Sequence, residues 1–76
     1  MQIQSGRQYR ITGYASDCSR MYRHKLLAMG FTPGAVFSAL RVAPLGDPIE
    51  IEIKGFLLSI RRQESQALQI EAINEI

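Results

Sequence analysis

A chain of 76 residues with a formal net charge of +2 suffices for one domain but is too short to enclose a large catalytic cleft. It contains one cysteine and one histidine, so it cannot form an internal disulfide and lacks the ligands that a zinc site needs. The first ten residues carry no apolar run typical of a signal peptide, and no segment approaches the roughly 20 apolar residues of a membrane helix. We therefore expect a single cytoplasmic domain without a cofactor or structural metal.

The first predicted element is a half-buried strand over residues 7–14. Tyr9 and Ile11 share one side of it and alternate with polar residues. Gly13 lies in line with them, which indicates a close backbone approach or a bend at a barrel corner. We expect Ile3 to pack beneath this strand.

A short helix is predicted next, over residues 20–29. Ser19 is placed to cap its first turn, and Gly30 is the natural residue to end it in a left-handed conformation. The apolar residues at helical spacing that should pack on the sheet are Tyr22, Leu26 and Met29, flanked by Leu27.

The remainder of this helix is basic and carries Arg20, Arg23, His24 and Lys25. A solvated helix face explains such a cluster, although phosphates or an acidic partner would also suit it. Basic neighbours repel a cation from His24, so we expect a surface histidine rather than a metal ligand. No base or second ligand accompanies Cys18, and we expect no catalytic role for its thiol.

A second strand is predicted over residues 35–43, after a Pro33-Gly34 turn. Its apolar residues fall on both faces, with Phe37 and Ala39 on one and Val36, Leu40 and Val42 on the other. This pattern indicates either a strand buried on two sides or a sharp bend that changes the inward face.

The loop over residues 43–48 is dense in turn residues, and Leu45 is an unusual side chain for its tip. A leucine at this position either folds back as a lid on the core or projects as a contact for a partner.

Residues 49–62 form the clearest pattern, a hairpin with Lys54-Gly55 as its two-residue turn. Its register places six large apolar residues on one face and makes the hairpin the main source of stability: Ile49, Ile51, Ile53, Phe56, Leu58 and Ile60. Leu57 is left on the other, polar face as a second candidate contact residue. A helical turn over residues 63–67 and a last strand over residues 68–72, which pairs with the first, complete the pattern.

No nucleophile–base pair, phosphate-binding loop or metal-ligand cluster can be assembled, so the chain is not expected to be an enzyme. The residues predict a five-stranded β module with one inserted helix that acts through surface contacts. One option is a stand-alone binding module for a peptide or nucleic acid, which a continuous basic surface and salt-sensitive binding would favour.

Two stretches together resemble a known family. Tyr22-Arg-His-Lys-Leu-Leu-Ala-Met-Gly-Phe-Thr-Pro-Gly34 resembles the helix and turn of ferrous iron transport protein A (FeoA), a small cytosolic component of bacterial ferrous iron uptake. Arg41-Val-Ala-Pro-Leu-Gly-Asp-Pro-Ile49 resembles that family's loop between its second and third strands. A related module follows a DNA-binding domain in iron-dependent repressors, and we expect none here. Cys18 and Met21 depart from the family, in which proline is common near the helix start.

The resemblance implies a small five-stranded SH3-like barrel with one α-helix inserted between strands 1 and 2. It also implies association with FeoB, the membrane-embedded ferrous iron transporter with a cytosolic GTP-binding part, so the chain would reach the inner face of the membrane only through this partner. Direct iron carriage and nucleic-acid binding are not expected, and weak self-association is left open. The family's hydrophobic contact surface maps onto Leu26, Leu27, Met29 and Leu45, to which the hairpin pattern adds Leu57. Leu26 could instead belong to the core, which makes Leu45 and Leu57 the cleaner probes.

Overall fold

The computed structural model describes residues 3–73. In chain order its elements are β1 (Gln8–Tyr14), α1 (Arg20–Ala28), β2 (Val36–Val42), β3 (Ile49–Ile53), β4 (Phe56–Ile60), α2 (Arg62–Gln66) and β5 (Leu68–Ile73). The strands form one antiparallel sheet in the order β4-β3-β2-β1-β5. The mainly β prediction is confirmed. Barrel closure is not, because β4 and β5 form the two edges of the sheet and no ladder joins them within the described residues.

The ends of α1 follow from local chemistry. The Oγ of Ser19 accepts a 3.1 Å hydrogen bond from the Tyr22 N–H, which confirms Ser19 as the N-cap. At the other end Gly30 has a φ of 99°, and the Phe31 N–H donates a 3.0 Å bond to the carbonyl oxygen of Leu26. This is the hydrogen bond of a Schellman motif, which uses a left-handed glycine to stop a helix.

β1 is a central strand, held between β2 and β5. Tyr9 and Ile11 are buried, as predicted. The pairing of β1 with β5 shifts between Ile11 and Gly13, and a Cβ at Gly13 would lie only 3.1 Å from Oε1 of Gln69. Gly13 therefore marks both an irregularity in the ladder and a close approach between neighbouring strands.

β2 changes its inward face at a bulge. Its register with β3 shifts between Ala39 and Arg41, so Leu40 is the extra residue. Phe37 and Ala39 are buried before the bulge, and Val42 packs against the core after it. Leu40 is half exposed, so the bend is the correct alternative and the doubly buried strand is not.

β3 and β4 form the predicted hairpin. Lys54 and Gly55 have φ values of 51° and 83°, as a type I′ turn requires, and Ile53 pairs with Phe56. Five of the six predicted inward residues are buried or pack against the core. The prediction for Phe56 was wrong: it is 69% exposed, because it begins the edge strand and no neighbouring strand covers it.

The core lies between the inner face of the sheet and α1. Leu26 is fully buried there, and Ile3 is also buried, as expected. The ring of Phe31 lies 6.3 Å from that of Phe37 in an edge-to-face arrangement, and Phe37 stacks on Tyr9 at 5.6 Å. Phe31 has no predicted role in the sequence pattern described above, although an apolar residue directly after a helix-ending glycine is a known signal for such packing.

Candidate partner-binding surface

The structure divides the five predicted contact residues between core and surface. Leu26 is fully buried and belongs to the core. In this conformation it is unavailable to a partner, which corrects its prediction as a contact residue. Met29 is half-buried and packs against the core. Leu27, Leu45 and Leu57 are 38%, 89% and 73% exposed. Three residues on three different elements therefore remain accessible.

Leu45 projects from the loop that joins β2 and β3 and does not fold back as a lid. It lines a groove of about 680 Å³ together with Arg62, Ser65 and Gln66 of α2. The remaining lining residues are Ile3, Val42, Pro44, Gly46 and Ile49. The groove thus combines apolar and polar lining residues with one largely exposed leucine, and none of the other four predicted contact residues lines it.

Asp47 holds the Leu45 loop against α2. Its Oδ1 accepts a 3.2 Å hydrogen bond from the backbone N–H of Arg62 and lies 3.8 Å from Nη1 of Arg61. Within the loop, the Gly46 N–H donates a 2.7 Å bond to the carbonyl oxygen of Ala43. These hydrogen bonds hold the backbone on both sides of the loop tip, so the position of Leu45 is ordered.

A second cleft, of about 350 Å³, separates the start of α1 from α2. Cys18 and Tyr22 lie on its α1 side, and burial raises the pKa of Tyr22, helped by the Glu64 carboxylate and then by Cys18. Glu64 joins the two helices, because one carboxylate oxygen lies 3.5 Å from Nζ of Lys25 and the other accepts a 2.8 Å bond from the Arg61 N–H. These contacts link α1 to α2.

The basic residues of α1 differ in their contacts. Lys25 pairs with Glu64, and the Arg23 guanidinium lies over the Tyr14 ring at 5.6 Å from its centroid. His24 is exposed. All four basic side chains are exposed, as a solvated helix face requires, and two of them also contact the domain itself.

Residues 3–73 contain no cluster of three or more His, Cys, Asp or Glu side chains placed to hold a metal ion. No helix in this part of the chain has the length and apolarity to span a bilayer.

Phe56 is a prominent exposed side chain that the sequence pattern does not reveal. Phe56 follows the hairpin turn, and its alternation pattern suggested a core position. The Nζ of Lys54, in that turn, donates a 3.2 Å hydrogen bond to Oγ1 of Thr32, which brings the hairpin tip against the loop behind α1. The only local signal in the sequence is that Phe56 directly follows a tight turn; the tertiary structure sets β4 at the edge of the sheet.

The comparisons with known proteins agree on one family. The family model described as FeoA domain matches residues 1–72. A curated relative from Porphyromonas gingivalis, the Fe(2+) transport protein A/Fe(2+) transporter FeoB fusion protein, is 32% identical over 54 residues. That match covers 71% of this chain and 6% of the fusion protein, so the chain corresponds to a small part of that relative.

Solved structures of similar proteins show the same fold. A Pseudomonas aeruginosa protein solved by solution NMR is 41% identical, covers 96% of this chain and 97% of its own, and has a TM-score of 0.79. Iron(II) transport protein A from Clostridium thermocellum is 32% identical over 93% of this chain and 43% of its own, with a TM-score of 0.83. Five-stranded architecture and sequence therefore point to the same group of proteins.

Proposed function

Because the chain belongs to the FeoA domain family, we propose that it is a non-enzymatic accessory protein of bacterial ferrous iron uptake that acts by binding the transporter FeoB. The observation that carries this proposal is the Porphyromonas relative, in which an Fe(2+) transport protein A segment and FeoB are parts of one chain. Fusion keeps two domains at an effective concentration in the millimolar range, which favours pairs that work in contact.

We place the contact with FeoB on the exposed surface of this domain. The exposed side chains of Leu27, Leu45 and Leu57 are the proposed contacts, together with the half-buried Met29 at the C-cap of α1. Leu45 is the strongest candidate anchor. An apolar side chain gains most when it enters a dry pocket of the partner and a polar rim excludes water around it.

The groove beside Leu45 supports this role. Its lining includes the polar side chains of Arg62, Ser65 and Gln66, which suit the rim of an interface. Asp47 orders the loop before binding, so less conformational entropy is lost when a partner docks.

The proposed partner surface is the cytosolic GTP-binding part of FeoB, and the chain would therefore act at the inner face of the cytoplasmic membrane. In this role the ferrous ion is cargo of the transporter, and the chain needs no iron ligands of its own.

The decisive experiment measures binding of the purified protein to detergent-solubilised FeoB, with and without a non-hydrolysable GTP analogue. We expect wild type to bind and Leu45→Glu to lose at least about tenfold in affinity, since a buried carboxylate would replace an apolar anchor. Leu57→Glu tests the β4 contact in the same assay.

Met21→Glu is the matched control, because Met21 is 82% exposed and lies outside the proposed contact set. It should bind like wild type. Absence of wild-type binding in every nucleotide state would exclude FeoB as the partner, and equal loss in Met21→Glu and Leu45→Glu would exclude a specific contact at Leu45.

A further inference from the structure

β4 is an edge strand without the usual protection. It runs from Phe56 to Ile60 with no charged residue and no proline, and its pairing with β3 shows no bulge. Charges, prolines and bulges are the devices by which natural edge strands avoid pairing with other chains. The other edge strand, β5, carries Glu71, whose carboxylate pairs with Arg10 of β1 at 2.8 Å. The two edges of the sheet therefore differ in their capacity to accept a further strand.

The hairpin register identifies the free backbone groups of β4. In a two-residue hairpin the residues that flank the turn exchange hydrogen bonds, and every second pair after them does the same. Phe56, Leu58 and Ile60 thus direct their N–H and C=O groups toward β3. Leu57 and Ser59 direct theirs outward, and no hydrogen bond among the described turn, loop and side-chain contacts uses these groups.

The exposure of Phe56 indicates that this edge can accept a neighbouring strand. Its side chain belongs by alternation to the core face of the sheet, yet most of it is exposed because β4 is covered on one side only. A strand added beside β4 would cover part of this ring and extend the core face. The uncovered ring and the free backbone groups point to the same edge.

We propose that two copies of this chain pair through β4, antiparallel about a two-fold axis at Leu58. In that register Leu57 lies opposite Ser59 of the second copy, and each of these two pairs exchanges two hydrogen bonds. Phe56 lies opposite Ile60 of the second copy on the continuous core face. The free groups of one edge thus match those of the other, as an isologous interface requires.

The charge distribution favours a second copy as the occupant. No charged residue lies between Phe56 and Ile60, so the paired segments bring no like charges into opposition. Arg61 lies opposite Gly55 of the second copy, and its guanidinium is near Asp47 of its own chain. The strand can therefore meet its own copy without electrostatic repulsion in the ladder.

The area available makes this dimer weak. A Phe side chain buries about 150–250 Å² when fully covered, so the exposed parts of Phe56 and Leu57 in two copies amount to a few hundred Å². Stable interfaces bury about 1,200–2,000 Å². We expect a dissociation constant on the order of 0.1–1 mM and a monomer in dilute solution.

The test is sedimentation of the full chain over a concentration series that spans the expected dissociation constant, together with amide hydrogen exchange. Wild type should pass from monomer to dimer, and the Leu57 and Ser59 amides should gain protection with concentration while the Leu58 amide does not. Ser59→Pro removes the outward-facing N–H of residue 59, which makes no hydrogen bond to β3. The dissociation constant of the dimer should therefore rise at least about tenfold. Ser59→Ala keeps that N–H and should dimerise like wild type.

If Ser59→Pro is unfolded, Leu57→Lys provides a second variant. We expect Leu57→Lys to remain monomeric, because a charge on the edge strand opposes pairing. A wild-type chain that stays monomeric at the highest concentration would overturn the proposal. So would a dimer that persists unchanged in Leu57→Lys, or concentration-dependent protection at Leu58 in place of its neighbours.

Discussion

The phenolic Oη of Tyr14 donates a 2.6 Å hydrogen bond to the carbonyl oxygen of Phe31. Tyr14 ends β1 and Phe31 follows α1, so this bond closes the two ends of the β1–α1–loop segment. Burial raises the pKa of Tyr14 above its ordinary value of 10.0; the Arg23 guanidinium opposes this rise and Cys18 adds to it. The protonated phenol is the form that can donate to the carbonyl.

Replacing Tyr14 with Phe should lower the free energy of unfolding by about 0.5–1.5 kcal/mol at neutral pH, because the carbonyl of Phe31 loses its donor. The pH dependence has a definite sign. A pKa that is higher in the folded state gives stability that is present in full below pH 10.0 and is lost as pH rises through the folded value. The difference between wild type and Tyr14→Phe should therefore narrow above pH 10.0.

Urea unfolding at a series of pH values measures this difference. Tyr22→Phe is a suitable control for the loss at neutral pH, since the Tyr22 hydroxyl makes no described bond to the Phe31 carbonyl. A difference between wild type and Tyr14→Phe that stays constant into the alkaline range would contradict the proposed role of the phenolic proton.

Leu26→Ala should cost about 2–5 kcal/mol of unfolding free energy, because Leu26 is fully buried and its truncation leaves a cavity. So small a domain has little stability to lose, and part of the population would unfold. Leu27→Ala, on the same helix but partly exposed, should cost less than about 1 kcal/mol. Chemical denaturation of both variants checks the contrast, and equal losses would refute the assignment of Leu26 to the core.

Phe56→Thr should change the unfolding free energy of the dilute protein by less than about 1 kcal/mol, since most of the Phe56 ring is in solvent. Ile51→Thr serves as the buried comparison on the same hairpin. It should cost about 2–4 kcal/mol, through lost packing and a buried hydroxyl. Melting curves of the two variants distinguish the exposed Phe56 of the structure from the buried Phe56 of the alternation pattern.

Gly30→Ala should cost about 1–2 kcal/mol, because Gly30 adopts a φ of 99° that a Cβ disfavours. This loss of stability would come from backbone strain and not from a steric clash. The nearest heavy atom to the added Cβ is Cδ of Lys54, at an ordinary contact distance of 3.7 Å. Gly30→Asn should lose less, since asparagine tolerates this region better. Thermal unfolding of the pair provides the measurement, and a neutral Gly30→Ala would contradict the Schellman geometry.

Local features were read correctly from the sequence because their causes lie within a few residues. Ser19 caps the first turn of α1 with its own hydroxyl, and Gly30 stops the helix with its own φ. The turn at Lys54-Gly55 sets the pairing of Ile53 with Phe56, since a two-residue loop allows one register. The family resemblance also came from contiguous blocks, and the family comparison confirmed it.

The exposure of the proposed contact residues was only partly predictable. Leu57 was correctly placed on the outer face, because alternation along β4 is local. For Leu45 the sequence left two alternatives, and for Leu26 it could not separate a core position from a contact. In both cases the answer depends on what other elements cover the side chain.

By itself, the sequence determined the succession of elements, the ends of α1, the hairpin register and the family. Only the tertiary structure decided which strands became edges, that β2 bulges at Leu40, and that Leu45 projects over a groove shared with α2. The physical reason is the distance along the chain between a residue and the residues that determine its structure. Caps, turns and alternation are set by neighbouring residues, whereas the exposure of Phe56 or Leu45 depends on whether a distant segment packs against it.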